Sequence, residues 1–572
     1  MALKLGIDVG GTFTDFLVAG EGREPRIHKV LSTPSDPSIA VIEGLREIAA
    51  SEEPAQSLES FVASIDTIVH GTTVTTNATL TRTGAESGLI TTRGVRDALE
   101  MRRGIREEQY NNRYTNVVPL VPRYRRIGVG GRLDRNGDEV AALNRDEVSA
   151  AIDLFKQEGV KAVSVCFMNS FANPAQEQAV AEMVREAMPD AYLTLSTDLL
   201  PSIRFYERVS TTALNSYVGP ILNHYLNQLT GRLEEAGFGG ILLIMQSNGG
   251  VMSPDIAREK AALTLLSGPA GGPGAELAYA RAHGSDRCIV TDMGGTSFEA
   301  ALVDKEPVMV NDGTIDRLKI ALPMLGIHTI GAGGGSVGWN DEGGLLRMGP
   351  QSAGADPGPA CYGKGGELPC TTDANLVLGY LNPDYFAGGK MQLDVEASRT
   401  AIKTHIADKL GLSVEEAAAG MYRVACTNMA QGVREITIKR GFDPREFPMV
   451  VAGGAGPIHS CLICDELEIP LQVVPRESSI LCASGMLMSE PARKGRRSMY
   501  VFETQSFEEV PVYNGHQLAH GNRIVGPAMI EEETTAIYVS ASFNCVVDQY
   551  GSFTLYRKGR EALVVETLKR GE

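Results

Sequence analysis

Two short stretches hold the residues best suited to chemistry. Near the start stands Asp8-Val-Gly10-Gly11-Thr12-Phe-Thr14-Asp15, and far along stands Asp292-Met-Gly294-Gly295-Thr296-Ser297-Phe-Glu299. Each has an aspartate, a Gly-Gly-Thr turn, and a second acid three positions after the threonine. A Gly-Gly turn lays backbone N–H groups against an anion because no Cβ blocks the approach. The Thr and Ser hydroxyls add donors, and a carboxylate at a strand end can hold a divalent cation directly or through water. Two such loops facing each other would grip a polyphosphate from both sides. Phosphoryl transfer needs that arrangement, because positioning and charge neutralisation carry most of its catalysis. A single copy is equally an ordinary tight turn, but two copies, each with its acid, point to a site.

The elements around these turns must be strands. Apolar runs flank each Gly-Gly pair, which predicts a β-hairpin at Leu3 to Ala19 and another at Ile289 to Val303. The repeat, separated by hundreds of residues, predicts two similar domains that each offer one loop. Between and after them the pattern is mixed α/β. Helical spacing runs over Ser38 to Ala50, Arg145 to Gln157, Gln176 to Ala187, Thr211 to Ala236 and Val414 to Arg440. Strands are expected at Ile65 to Val69, Ala162 to Phe167 and Ile241 to Gln246. From about Val501 the chain turns β-rich, with turn signals such as Asp548-Gln-Tyr-Gly-Ser552. The expected division is residues 1–195, 196–495 and a short β-rich module over 496–572. The helix from Thr211 is expected to open the second unit.

Other clusters could complete the site. Val450-Val-Ala-Gly453-Gly454-Ala-Gly456-Pro-Ile-His459 reads as a strand, a glycine turn and a helix start, suited to the close approach of a sugar or flat ring. Leu266-Ser-Gly268-Pro-Ala-Gly271-Gly-Pro-Gly274 also opens onto a helix. His70 ends a strand before Gly71-Thr72-Thr73 and can orient a substrate or donate to a phosphorylated oxygen, or can be a structural histidine. Thr72, Thr73 and Asn77 share that loop. His328 precedes Gly331-Ala-Gly333-Gly334-Gly-Ser336, a run too glycine-rich for a simple turn, so His328, Gly333 and Gly334 are substrate-facing candidates. Asp373 is either a ligand or a helix cap. Arg102-Arg103 and Arg123-Tyr-Arg-Arg126 read as a solvated basic face, and Trp339 should report on closure of the glycine loop beside it.

Composition narrows the partners. The formal net charge of −17 argues against nucleic acid and anionic membrane surfaces. No apolar run nears the roughly 20 residues of a membrane span. The opening Met1-Ala-Leu-Lys-Leu-Gly has no signal-peptide layout, so a cytoplasmic setting with reduced thiols is expected. Cys461-Leu-Ile-Cys464 lacks a second ligand pair at zinc spacing, so buried structural thiols are expected there.

The order of the glycine clusters resembles the actin, hexokinase and Hsp70 superfamily: first phosphate loop, second phosphate loop, adenosine loop. The closer resemblance is to the hydantoinase A and 5-oxoprolinase family, which includes subunits of acetone and acetophenone carboxylases. It rests on Gly6-Ile-Asp-Val-Gly-Gly-Thr-Phe-Thr-Asp15, Val69-His-Gly-Thr-Thr-Val-Thr-Thr-Asn77, Ser267-Gly-Pro-Ala-Gly-Gly272 and Asp292-Met-Gly-Gly-Thr-Ser297. It continues through Ile327-His-Thr-Ile-Gly-Ala-Gly-Gly-Gly-Ser336, the stretch from Gly349 to Gly363, Thr372-Asp-Ala-Asn-Leu376, Gly453-Gly-Ala-Gly-Pro-Ile-His459 and Gly526-Pro-Ala-Met-Ile530.

The resemblance implies two actin-like (RNase H-like) α/β domains with a nucleotide cleft between them. It implies ATP with Mg²⁺ or Mn²⁺, a small carbonyl substrate, and a second, unlike, hydantoinase B-like subunit in a hetero-oligomer. In its terms Asp8 and Asp292 organise the metal, and Asp15 or Glu299 positions water or metal. Gly10, Gly11, Thr12, Thr14, Gly268, Gly271, Gly294 to Ser297, Gly453, Gly454 and Gly456 hold the nucleotide. The implied reaction is phosphorylation of a lactam or cyclic-imide oxygen for hydrolysis. A ketone carboxylase subunit and a non-catalytic scaffold are the alternatives. Two departures stand out: Phe298-Glu299 replaces the family's Thr-Asp after the second loop, and Gly326 stands where many members carry an acid.

Overall fold

In a computed structural model, the described residues run from 3 to 475 except 12, 21–25, 34, 105, 108, 283, 312 and 387–390. Beyond 475 they are 478, 483, 493–501, 504, 506–514, 518, 522–531, 536–547 and 553–559.

The first hairpin forms as its pattern predicts. Strand β1 (Leu3–Val9) alternates, sending Leu3, Leu5, Ile7 and Val9 into the core and Lys4 and Asp8 to the other face. It pairs antiparallel with β2 (Phe13–Gly20), which pairs antiparallel with β3 (Arg26–Leu31). On its other edge β1 takes β4 (Ile65–Thr72) in parallel, then β5 (Ile241–Met245) in parallel, with β6 (Val251–Met252) at the end. Helix α1 (Val74–Leu80) leaves β4 directly. The long α2 (Phe205–Glu235) lies across the apolar face, where its Leu214, Leu222, Leu226, Leu229 and Leu233 join Leu5 and Ile7 in one core. The sequence assigned this helix and β5 to the following unit. The structure gives both to the first sheet, because the apolar run of β5 finds its parallel partner in β4.

The second hairpin sits in a sheet of the same design. After α3 (Gly272–Ala282), β7 (Arg287–Met293) and β8 (Phe298–Asp304) pair antiparallel. The edge of β8 is taken by β9 (Glu306–Pro307) and β10 (His328–Ile330), both antiparallel. Helix α4 (Val414–Ile436) begins with a capping box in which Ser413 and Glu416 satisfy each other's backbone N–H groups. It then packs Met421, Met429, Val433 and Ile436 onto one face of the sheet. On the other side of β7 lie β11 (Met449–Ala452) and β12 (Gln472–Val473), both parallel, joined by α5 (Gly456–Leu467). Both sheets therefore run edge, hairpin, parallel, parallel, in the same order.

The chain is mixed α/β. A four-stranded sheet built on Ser87–Thr92 and Ala162–Cys166 carries its own core under helices Arg145–Gln157 and Ala175–Ala187. From Arg493 to Arg557 the described elements are strands in a four-stranded and a three-stranded sheet. The Asp548 to Ser552 turn lies outside the described residues. Among the described residues no helix is long and apolar enough to cross a membrane. Cys464 is buried on α5 as expected, but Cys461 on the same helix is exposed, at the edge of the stripe buried through His459, Ser460, Ile463 and Cys464.

Candidate functional site

The two acid pairs are cross-strand neighbours. Asp8 lies opposite Asp15, and Asp292 lies opposite Glu299. Residues in register share a face, so each hairpin presents two carboxyls side by side. The rung extends in both directions. In the first sheet it reads Gly71, Asp8, Asp15, Lys29; in the second it reads Ala452, Asp292, Glu299, Thr329.

Each turn is closed by the same bond: Gly10 N–H donates to the Phe13 carbonyl at 3.0 Å, and Gly294 N–H to that of Ser297 at 3.1 Å. The first turn is clamped by a residue the sequence did not flag. Ser32 donates to the Gly10 carbonyl at 2.8 Å and contacts the Thr14 hydroxyl at 3.0 Å. Thr14 is thereby buried and its hydroxyl engaged with Ser32, so its contribution is to the shape of the turn. Thr12 lies outside the described residues.

The other glycine clusters converge on the aspartates. A Cβ at Gly268 would lie 2.9 Å from Asp8 Oδ1, so that glycine is what lets helix Ser267–Ala270 close on the first rung. Ser267 holds the helix there, donating to the Thr72 carbonyl at 3.0 Å. Gly453 has φ +83°, and a Cβ there would meet Asp292 Oδ1 at 2.4 Å and the Met293 carbonyl at 2.3 Å. Gly454 beside it is open, and Gly456 starts α5. Gly271 N–H bonds to the Gly268 carbonyl, within the short helix. The glycine run at 331–336 buttresses the second turn: Gly334 and Gly335 donate to the Gly294 and Gly295 carbonyls at 3.1 and 2.7 Å. Gly333 packs so tightly that a Cβ would overlap the Gly295 and Thr296 backbone.

Charge is concentrated and poorly neutralised. Burial pushes the Asp8 carboxyl up to about 8, helped by Asp15 and Asp292 and opposed by Lys29. Burial pushes Asp15 up to about 6, opposed by Lys29, whose Nζ lies 2.7 Å from Oδ1. Glu299 is raised by burial, then by Asp292, with Asp8 adding to it. The carboxyls of the two hairpins therefore lie within electrostatic reach of each other. A further acid, Glu276 on α3, is fully buried behind the second rung. Burial and then Asp292 hold its carboxyl far above the usual range, and neither oxygen has a hydrogen-bond partner. Glu276, Asp292 and Glu299 line a cavity of about 10 Å³, the space of one water. Glycines and prolines crowd Glu276 in sequence, and only the fold brings it to Asp292.

The residues fit a divalent cation held between the loops. Asp8 Oδ1 is buried with no hydrogen-bond partner, and glycine approaches both Asp8 and Asp292 where a side chain would cover the carboxylate. Among the described residues no three His, Cys, Asp or Glu side chains converge to hold an ion unaided. An ion bound by one or two carboxylates, water and phosphate oxygens is the ordinary case for Mg²⁺.

The remaining candidates divide. Thr73 binds the end of β1, donating from Oγ to the Val9 carbonyl at 3.0 Å, and Asn77 Nδ2 reaches Thr73 Oγ at 3.2 Å beside the first turn. His70 lies in register with Ile7, on the apolar face opposite the acids. It is fully buried, bonded to Tyr225 at 2.8 Å, and held neutral by burial, which lowers it to about 3. Thr72 is buried on the same face. His328 pairs opposite Ala300 on β10, half-buried, with burial lowering its affinity for protons. Asp373 accepts from Ala360, Cys361 and Cys370 N–H groups and the Ser398 hydroxyl, which makes it a structural anchor. His459 is stacked on Tyr422 and bonded to Asn375, in the core. The arginines pair with acids: Arg102 with Glu107, Arg103 with Glu207, Arg123 with Asp97, Arg125 with Glu86, Arg126 with Glu100. A larger cavity, about 430 Å³, lies past the far end of α1 between Arg82, Val117 to Leu120, Tyr217 and Arg317. Asp316 also lines it, and none of the four rung acids does.

Residues 4–188 match the hydantoinase/oxoprolinase N-terminal region, 208–494 the hydantoinase/oxoprolinase model, and 475–558 its C-terminal domain. The chain is 40% identical to caprolactamase subunit alpha of Pseudomonas jessenii, over 85% of this chain and 70% of that protein. It is 34% identical to the acetophenone carboxylase gamma subunit of Aromatoleum aromaticum, over 84% and 67%. It is 31% identical to the 5-oxoprolinase of Saccharomyces cerevisiae, over 85% of this chain but only 41% of that longer protein. The crystal structure of the ATP-dependent caprolactamase superposes with a TM-score of 0.73 at 32% identity, covering 97% of this chain and all of that one. The nucleotide-free acetone carboxylase structure gives 0.77 at 24% identity with the same coverage, which establishes the shared fold. With paired hairpin sheets, facing acid rungs and these matches along its length, the chain belongs to the hydantoinase/oxoprolinase family.

Proposed function

We propose that this chain is the ATP-binding subunit of an enzyme that phosphorylates the carbonyl oxygen of a lactam or cyclic imide, making the ring carbon electrophilic for hydrolysis. The observation that carries the reading is the pair of acid rungs facing each other at Gly-Gly turns. The 40% identity with a caprolactamase subunit supports the substrate class. Relatives named as subunits support a second, unlike chain in the assembly.

The residues divide the work. The backbone N–H groups of Gly11 and Gly295, left outside the turn-closing bonds of Gly10 and Gly294, hold the polyphosphate in line together with the Thr296 and Ser297 hydroxyls. Asp8 and Asp292 would hold Mg²⁺ or Mn²⁺, which when bound neutralises phosphate charge. Asp15, raised only to about 6 and paired with Lys29, is ionised at neutral pH and can orient water or the substrate N–H. Gly453 and Gly454 leave room for the adenosine end. Thr73, Asn77 and the loop after His328 bound the space left for a substrate.

The test is nucleotide turnover by the natively purified assembly. ADP formation stimulated by caprolactam, 5-oxoproline or a hydantoin is expected. Turnover that instead requires a ketone and bicarbonate together would replace the lactam reading by the carboxylase one, which the acetophenone carboxylase similarity makes the specific alternative.

A further inference from the structure

We infer that Lys29 is a built-in counter-cation: a positioning residue that occupies the charge of Asp15 and so limits how tightly the facing acids take up a divalent ion. The inference rests on the proposed metal role of Asp8 and Asp292. The geometry is specific. Lys29 stands in register with Asp15 on the neighbouring strand, its Nζ is 2.7 Å from Asp15 Oδ1, and it lies 5.1 Å from the centroid of the Phe13 ring at the turn. The second rung holds Thr329 at the corresponding place, with a hydroxyl that has no hydrogen-bond partner, and adds the acid Glu276 behind it.

Without Lys29 the two hairpins would set Asp8, Asp15, Asp292 and Glu299 around one space with no fixed positive charge on the rungs. Such a cluster draws divalent ions strongly and competes with phosphate oxygens for them. A lysine on the rung supplies one permanent charge and directs Asp15 away from metal ligation. Asp8 is then the metal-facing member of its pair.

The experiment is Mn²⁺ titration of the full chain without nucleotide, followed by electron paramagnetic resonance. Lys29→Met is expected to bind Mn²⁺ about tenfold more tightly than the wild type, since a unit charge a few ångströms away is removed from a poorly solvated site. Lys29→Arg should match the wild type. Adding Asp15→Asn to Lys29→Met should return the affinity to within about threefold of the wild type, since the charge it exposed is gone. Lys29→Gln, which keeps a donor for Asp15, repeats the test should Lys29→Met fail to fold. Equal affinity in the wild type and the folded neutral variants overturns the inference. Asp8→Asn separates the levels. Weakened Mn²⁺ binding there, with no response to Lys29 variants, removes only the role of Lys29. Binding indifferent to Asp8→Asn removes the metal assignment beneath it.

Discussion

The two halves of the site share a backbone and differ in charge. Both rungs sit on the same five-strand order, with the same turn bond and the same glycine approach to the aspartate. The first rung ends in Lys29 and the second in Thr329. Behind the second lies a buried acid, Glu276. The register repeats the positions of the acids, while the strand beyond them decides whether an acid is neutralised. The first half therefore keeps one ionised carboxylate, Asp15, at neutral pH, while burial raises Asp8 in the first half and Glu299 and Glu276 in the second toward the protonated form.

That contrast can be broken in order of effect. Asp8→Ala or Asp292→Ala should each lower ATP turnover at least about a thousandfold, measured as ADP formation, because both loops are needed to neutralise one polyphosphate. Retained turnover in either variant would show that the halves are not equivalent partners. Gly453→Ala should cost about 1–3 kcal/mol of stability in denaturant unfolding, since it combines positive φ with a clash at Met293, and should also lower turnover.

The pH dependence follows from the raised carboxyls. Asp8 binds its proton more tightly folded, at about 8, than unfolded, at 3.8. Its contribution to stability is thus present at low pH and declines as pH rises from about 4 to about 8. Metal-free protein should lose thermal stability across that window, and Mn²⁺ affinity should rise across it. Glu276→Gln removes the least solvated acid and should stabilise the metal-free protein most near pH 8; an unchanged melting temperature would mean that Glu276 has a partner in solution. The smallest effect on turnover is expected for His70→Asn. Its position corresponds to Val451 in the second half, on the face away from the acids, so it should destabilise by about 1–3 kcal/mol through the lost Tyr225 bond and change turnover less than tenfold.

Legibility in the sequence followed the range of the interaction. Both hairpins, most helices and the β-rich end were readable, because alternation, caps and glycine turns act within a few residues. Helix Arg145–Gln157 falls where its spacing predicts, and Asn144 caps it. The membership of β5 and α2 in the first sheet was not readable, because an apolar run does not specify which strand it will join. His70 looked like part of the site for the same reason: its position at a strand end was visible, but the face it occupies was not.

The sequence by itself determined the acids, the turns beside them and the family. Those depend on residue types at fixed spacing along the chain. Only the tertiary structure decided which charges answer each other. Lys29 meets Asp15 through strand register, Gly268 reaches Asp8 from a helix far along the chain, and Glu276 comes under Asp292 when α3 packs on the sheet. Neutralisation and burial depend on distance through space, and distance through space is set when the sheets close.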